Sequence, residues 1–133
     1  MAALIDSSVF IAGERGRIEL ADLLASLGSE PLALSAMTAS ELLHGLHRAR
    51  TTAQRDRRYA YVEAIFTQMP VLAFDLAVAR VHAAVSAHLD RTGHQVGAHD
   101  LIIAATAIAH DYRVATRDLR SFLKIDGLET VRV

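Results

Sequence analysis

The chain has 133 residues, of which 52% are hydrophobic and only 5% aromatic, and its formal net charge is −1. This length predicts a single domain, residues 1–133, with a core built mainly from aliphatic side chains. The charge excludes a polycation, so any nucleic acid must be bound by a local basic patch. The absence of cysteine excludes disulfides and thiolate zinc sites and fits a cytoplasmic protein, and no apolar run is long enough to predict a membrane segment.

Short apolar segments alternate with segments of helical periodicity along the chain. A buried strand is predicted at residues 2–5, followed by a helix that starts near Val9 with Ser7 or Ser8 as its cap. Further strands are predicted at residues 31–35, 70–74, 113–116 and 128–133. Helices are predicted at residues 18–27, 38–50, 53–69, 76–89 and 99–110, with a turn or short helix at 119–123. The alternation predicts an α/β fold, a three-layer sandwich with a mainly parallel central sheet.

Four acidic residues lie close to predicted strand ends or helix starts. Asp6 follows the first strand, Glu41 lies near the start of the helix after the second strand, Asp100 opens the apolar helix in GAHDLIIAATAIAH, and Asp118 follows the fourth strand. Ligands of open parallel sheets bind beyond the carboxyl ends of the strands. Carboxylates that converge there would repel one another, and a divalent cation such as Mg²⁺ or Mn²⁺ removes that cost. Such a site points to hydrolysis of phosphodiester bonds.

Each of these acids also has a structural explanation when taken singly. Asp6 and Asp100 suit the cap or the first turn of a helix. The segment Thr38-Ala39-Ser40-Glu41 matches a capping box, in which Thr38 caps the helix and Glu41 accepts a bond from the Thr38 amide. The convergence of several acids at one sheet edge favours a site over these separate explanations.

The segments LIDSSVF, TASELLHG, HDLIIAATAIAH and ATRDLRSF, in this order and at this spacing, resemble the PIN domain. Within that family the chain is most similar to the VapC-type toxins of bacterial toxin–antitoxin pairs, and the resemblance covers the whole chain. It implies a Mg²⁺- or Mn²⁺-dependent ribonuclease that acts on RNA, is inhibited by a cognate antitoxin protein and forms homodimers. Carried over by motif, the catalytic acids are Asp6, Glu41, Asp100 and Asp118. Asp6 and Asp100, from the best-matched motifs, are the expected metal ligands.

The last motif departs from the family pattern. An acid often precedes the Phe there, whereas here Ser121 precedes Phe122. Asp118 is then the only acid of the segment able to serve the site, and its distance from the strand end predicts that it orients water without contacting the ion. The alternative is an exposed turn residue paired with Arg117 or Arg120.

Two surfaces have open interpretations. A basic cluster is either a solvated face or a contact surface for phosphates beside the acids, and it comprises Arg48, Arg50, Arg55, Arg57 and Arg58. A leucine stripe is either core packing or a partly exposed face that receives an amphipathic antitoxin segment, and it comprises Leu20, Leu23, Leu24 and Leu27.

Two other functions are compatible with an α/β chain of this kind. One is a catalytically weak PIN domain that acts with its antitoxin as a DNA-binding regulatory complex. The other is a receiver-like signalling domain, which has clustered acids but normally needs a lysine at a strand end. The chain has one lysine, Lys124, outside the predicted strands, and this disfavours the receiver interpretation.

Overall fold

A computed structural model describes residues 1–16 and 18–133 of the chain. Within these residues the strands are β1 (Ala2–Ile5), β2 (Leu32–Ser35), β3 (Val71–Leu72), β4 (Tyr112–Thr116) and β5 (Thr130–Arg132). The helices are α1 (Ser7–Glu14), α2 (Leu20–Leu24), α3 (Ala36–His47), α4 (Thr52–Gln68), α5 (Leu76–Thr92) and α6 (Ala98–His110). Single 3₁₀ turns follow α2 and β4, at Ala25–Leu27 and Phe122–Lys124. The predicted α/β class is confirmed.

The strands form one parallel sheet in the order β3-β2-β1-β4-β5. The chain moves outward from β1 to β3, then returns to place β4 on the other side of β1. Leu4 of β1 therefore lies between Ala33 and Val114 in the register of the sheet. The strand order reverses between β1 and β4, and in open sheets such a switch point forms a crevice for ligands at the carboxyl ends of the strands.

Helices cover both faces of the sheet, which gives the predicted three layers. Successive strand residues point to opposite faces. Ala3 and Ile5 therefore pack in one core and Leu4 in the other. The first core is formed with helices α1 to α4, and the second contains Ile103 of α6 and, at its margin, Val85 of α5. No helix in the described ranges is both long and apolar enough to cross a membrane.

The starts of α1 and α3 differ from the prediction, and both differences concern acids of the site. Helix α1 begins at Ser7, so neither Ser7 nor Ser8 is its cap, and the Asp6 side chain makes no capping hydrogen bond. Helix α3 is capped by Ser35, whose Oγ accepts from the amide of Thr38 at 3.0 Å. The predicted capping box of Thr38 and Glu41 is therefore wrong, because β2 runs directly into α3 and the last strand residue takes the cap position.

The predicted strand at residues 70–74 is reduced to the two residues of β3. Among the described residues, this edge strand pairs only with the end of β2, where Leu34 and Ser35 lie opposite Val71 and Leu72. The chain then leaves the sheet towards α5, which Asp75 caps through a bond from the Val78 amide of 3.0 Å.

Candidate active site

Asp6 lies at the carboxyl end of the central strand β1, with only 5% of its surface exposed. Its Oδ2 accepts hydrogen bonds from Ser8 Oγ at 2.7 Å and from Thr116 Oγ1 at 2.9 Å. Its backbone amide donates to the carbonyl of Ala115 at 2.9 Å. Ser8 belongs to α1 and Thr116 ends β4, so the carboxylate is held across the switch point. Both hydroxyls use the same oxygen, and no side chain of the described residues donates to Oδ1.

Glu41 in the second turn of α3 faces the same crevice. Ser7 Oγ donates to Glu41 Oε2 at 3.1 Å, and His99 Nδ1 lies 3.9 Å from Oε1. Glu41 Oε1 is buried and has no hydrogen-bond partner among the described residues. A buried acceptor without a partner costs about 1–3 kcal/mol, and more when it is charged. The orphaned oxygen therefore indicates a position where a ligand or cation would be stabilising.

The pKa values of Glu41 and Asp100 are both raised, and burial is the main cause for each. For Glu41, the charges of Asp6 and Asp100 raise the pKa further, against the Ser7 hydrogen bond. For Asp100, the charges of Asp6 and Asp118 add to the effect, and the hydroxyl of Ser121 opposes it. The charge of Asp6 thus contributes to the raised pKa of both Glu41 and Asp100, as expected of carboxylates that lie near one another.

Asp118 is exposed and is directed towards Arg120. Arg120 donates from Nε to Oδ1 at 3.0 Å and from Nη2 to Oδ2 at 2.8 Å, and its amide also donates to Oδ1. These bonds lower the pKa of Asp118 to about 2. The backbone of Asp118 nevertheless contacts the site, because its amide donates to Thr116 Oγ1 at 3.0 Å. The structure thus contains the Arg120 pair that the sequence offered as an alternative, and the role of Asp118 in water positioning stays a prediction.

Several hydroxyl residues of the site were not assigned a role from the sequence. Ser7 and Ser8 were interpreted as alternative helix caps and Ser121 as a residue in the place of an acid, without a role at the site. In the structure, Ser8 and Thr116 hold Asp6, Ser7 holds Glu41, and Ser121 lies beside Asp100. Their positions in the sequence, directly after a strand or beside a candidate acid, could have indicated these roles.

The donor set suits a hard divalent cation. Asp6, Glu41 and Asp100 offer only oxygen atoms, which Mg²⁺ and Mn²⁺ prefer. Among the residues that the structure describes, no three Asp, Glu or His side chains lie close enough together to surround an ion. Mg²⁺ is usually bound through one or two carboxylates and keeps several water molecules. Two carboxylates with a third nearby are therefore a sufficient protein contribution.

A cleft with a volume of about 500 Å³ opens beside Glu41, between α1, α3 and α4. Three members of the basic cluster, Arg48, Arg50 and Arg58, line it together with Arg15. Arg55 and Arg57 are exposed on α4 and do not line the cleft. Arg48 and Arg50 are exposed as well, so the structure divides the cluster into a part that lines the cleft and a part outside it.

The leucine stripe is mainly core. Leu23 and Leu27 are buried in the first core, and Leu20 and Leu24 are half-buried against it. Ile18, just before the stripe, is 42% exposed. Leu20, Leu24 and Ile18 therefore keep apolar surface exposed near residues 18–27, and the binding of an antitoxin segment there stays a prediction.

The fold and the site define an α/β protein with an acidic site at the switch point of a parallel sheet. Over residues 3–128, the chain matches the family model of the PIN domain. The chain belongs to the PIN domain family, as its four motifs predicted.

Within this family, the chain is similar to proteins named as VapC ribonucleases. Ribonuclease VapC1 of Rickettsia felis is 31% identical over 133 residues, which are all of this chain and 97% of that protein. Ribonuclease VapC5 of Mycobacterium tuberculosis is 36% identical over 132 residues, 99% of this chain and 93% of that protein. A crystal structure of VapBC-5, a member of the VapBC family of toxin–antitoxin systems from Mycobacterium tuberculosis, superposes with a TM-score of 0.81. That superposition has 34% identity and covers 100% of both chains.

Proposed function

We propose that this chain is a metal-dependent ribonuclease and the toxin of a toxin–antitoxin pair. The observation that carries the proposal is the group of Asp6, Glu41 and Asp100 at the switch point, with the orphaned Glu41 Oε1 and the raised pKa values of Glu41 and Asp100. The relatives that match nearly the whole chain are named ribonucleases, which supports RNA as the substrate.

Asp6 and Asp100 are the residues we assign to a divalent cation, Mg²⁺ with Mn²⁺ as the second candidate, and Glu41 lies beside them. A bound cation of this kind lowers the pKa of a water molecule and offsets negative charge on a phosphate in an in-line displacement. Ser8 and Thr116 keep the Asp6 carboxylate in one orientation. Glu41, with a raised pKa and a free Oε1, is suited to accept a proton from the attacking water.

The reaction is the hydrolysis of one phosphodiester bond. Water adds to the phosphorus, one P–O bond breaks, and the leaving oxygen takes up a proton. The arginines of the cleft beside Glu41 balance the negative charge of the incoming RNA.

The proposed partners follow from the same family. The VapBC-5 structure is described as a toxin–antitoxin system, so we propose a cognate antitoxin protein for this chain. Homodimer formation and a cytoplasmic location, where RNA and the antitoxin are available, complete the proposal.

Cleavage of RNA by the purified chain tests it directly. Asp100→Asn keeps the size of the side chain and removes the charge, so we expect cleavage to be abolished with either Mg²⁺ or Mn²⁺. Asp118→Asn should lose about 10- to 100-fold, the usual effect of losing a partner that orients a metal site. Asp90→Asn, an exposed acid on α5, is the matched control and should cleave normally.

Three results would change the assignment. Normal cleavage by Asp100→Asn contradicts the metal assignment. Complete loss in Asp118→Asn that no metal concentration restores gives Asp118 a direct role, and no loss leaves it as a surface acid paired with Arg120. No cleavage by the unmodified chain favours the DNA-binding regulatory complex instead.

A further inference from the structure

The cleft beside the acids carries an excess of positive charge. Its walls contain four arginines and two glutamates, Glu14 and Glu41. Glu14 is neutralised by an ion pair with Arg58 of 2.9 Å, and Glu41 belongs to the acidic site. The uncompensated charge therefore lies on Arg15, Arg48 and Arg50.

Arg58 has a structural task that separates it from its neighbours. Its Nε donates to Glu14 Oε1 at 2.9 Å and its Nη1 donates to the carbonyl of Gly45, also at 2.9 Å. Arg58 therefore connects α4 to α1 and α3 and fixes the shape of the cleft. Within residues 1–16 and 18–133, the guanidinium groups of Arg48 and Arg50 form no comparable bonds or ion pairs.

The position of Arg48 also has a simpler explanation, which the structure weakens. Arg48 is the residue that ends α3, where a cation is favourable beside the helix dipole. The Gly45 carbonyl in the last turn of that helix accepts from the Arg48 amide at 3.3 Å and from Arg58 Nη1, so it does not need the Arg48 side chain. Arg50 is outside the helix, and its amide is fixed by a hydrogen bond of 2.8 Å to Gln54 Oε1.

Glu41, Gly45 and Arg48 lie on one side of α3, since they are spaced by four and three residues and all line the cleft. At a rise of 1.5 Å per residue, Arg48 is about 10 Å along the helix from Glu41. A stacked strand advances roughly 3.4 Å per nucleotide, so this distance spans about three nucleotides.

We propose that Arg48 and Arg50 bind phosphates of single-stranded RNA about three nucleotides from the scissile bond and hold the substrate in register with the acids. The inference rests on the proposed ribonuclease function. A single strand fits because Arg48 and Arg50 are exposed at the rim of a cleft between three helices, and a flexible backbone can follow that cleft to Glu41. Positively charged grooves that follow the backbone are typical of proteins that bind single strands.

Binding of a fluorescent single-stranded RNA, measured by anisotropy on an Asp100→Asn background, tests the inference without cleavage. The variant Arg48→Gln/Arg50→Gln is compared with Arg55→Gln/Arg57→Gln, which removes the same charge from exposed arginines outside the cleft. Loss of two phosphate contacts should lower the slope of log affinity against log salt by about 1.4 and weaken binding at low salt roughly 10- to 30-fold. The Arg55/Arg57 variant should stay within about 2-fold, and both should melt like the parent.

Equal weakening in the two double variants would overturn the inference, because the attraction would then be diffuse. Unchanged RNA binding in the Arg48/Arg50 variant would overturn the inference as well. If that variant lost antitoxin binding instead, the cleft would be assigned to an acidic protein segment. The two proposals fail separately. If the chain does not cleave RNA but the two double variants differ in RNA binding as predicted, the phosphate-binding role of the cleft stands and the ribonuclease proposal fails. If the chain cleaves RNA but the two double variants bind RNA alike, the ribonuclease proposal stands and the inference about Arg48 and Arg50 fails.

Discussion

Asp6 is immobilised by hydroxyl groups from two different elements, Ser8 of α1 and Thr116 of β4. Both hydroxyls bind Oδ2, so rotation of the carboxylate would break two hydrogen bonds. Thr116 is completely buried, and its Oγ1 also accepts from the Asp118 amide. The hydroxyls thereby connect the central acid to the segment that carries Asp118, at no cost in net charge.

Without a divalent ion, the crowded acids should destabilise the fold at neutral pH. The pKa of Asp100 is raised above its ordinary value of 3.8, mainly by burial and also by Asp6 and Asp118. The folded state therefore binds this proton more readily than the unfolded chain does. The stability that protonated Asp100 contributes is fully present below pH 3.8 and is lost as the pH rises through the folded pKa. In EDTA, Asp100→Asn should consequently melt at a higher temperature than the native chain at pH 7.

Thermal unfolding followed by circular dichroism in EDTA at pH 7 and near pH 4 checks this. The advantage of Asp100→Asn should shrink at the lower pH, and Asp90→Asn should show no advantage at either pH. A lower melting temperature for Asp100→Asn at pH 7 would mean that the carboxylate stabilises the fold, contrary to the direction of its pKa shift.

Among single residues, the sequence predicted the places of the acids but not all their contacts. Asp6 and Asp100 were located because strand ends and helix starts can be recognised from local patterns. The cap of α3 was assigned to Thr38 although Ser35 forms it, because the end of β2 depends on pairing with β1 and β3. Likewise, the sequence indicated Arg117 or Arg120 as a partner of Asp118, and only the folded structure shows that the partner is Arg120.

At the scale of elements, α4 is tied to its neighbours by a small set of polar contacts. Arg58 bonds to α1 and α3, and Tyr61 OH donates to the carbonyl of Phe10 in α1 at 2.6 Å. Gly13 permits this close approach, because a Cβ at that position would lie 2.7 Å from the Tyr61 hydroxyl. Residues that line the cleft therefore form the interhelical contacts that keep it open.

Arg58→Met should weaken this arrangement while keeping the apolar stem. The variant loses one hydrogen bond to a carboxylate and one to a carbonyl. Because both side chains of the ion pair are partly exposed, solvent weakens these interactions, and we expect the free energy of unfolding to fall by about 1–2 kcal/mol. Urea unfolding measures the change, and Arg57→Met on the exposed face of α4 should stay within about 0.5 kcal/mol of the native chain. Equal stability of the two variants would show that Arg58 is not a structural contact.

Long helices were predicted well, and short edge elements were not. Helix α4 was expected at residues 53–69 and spans Thr52–Gln68, because its periodicity continues over several turns. The strand expected at residues 70–74 is reduced to Val71–Leu72. An edge strand is limited by the length of its only neighbour and by the next helix cap, here Asp75, and neither is visible in local periodicity.

At the scale of the whole molecule, two regions of opposite charge share Glu41, and the proposed function uses both. The acids gather at the switch point because parallel strands end at the same edge, and the sequence predicted this from the alternation of strands and helices. The cleft requires α1, α3 and α4 to pack together, so its division of the basic cluster could not be predicted from the order of residues alone.

The central claim is that Asp6 and Asp100 bind a divalent cation, and titration calorimetry with Mn²⁺ and Mg²⁺ on the full chain tests it most directly. We expect saturable binding by the native chain and by Asp90→Asn. Asp6→Asn and Asp100→Asn should each lose more affinity than the roughly 10- to 100-fold expected of a residue that only orients a ligand, such as Asp118. Native affinity in both the Asp6→Asn and Asp100→Asn variants would contradict the account.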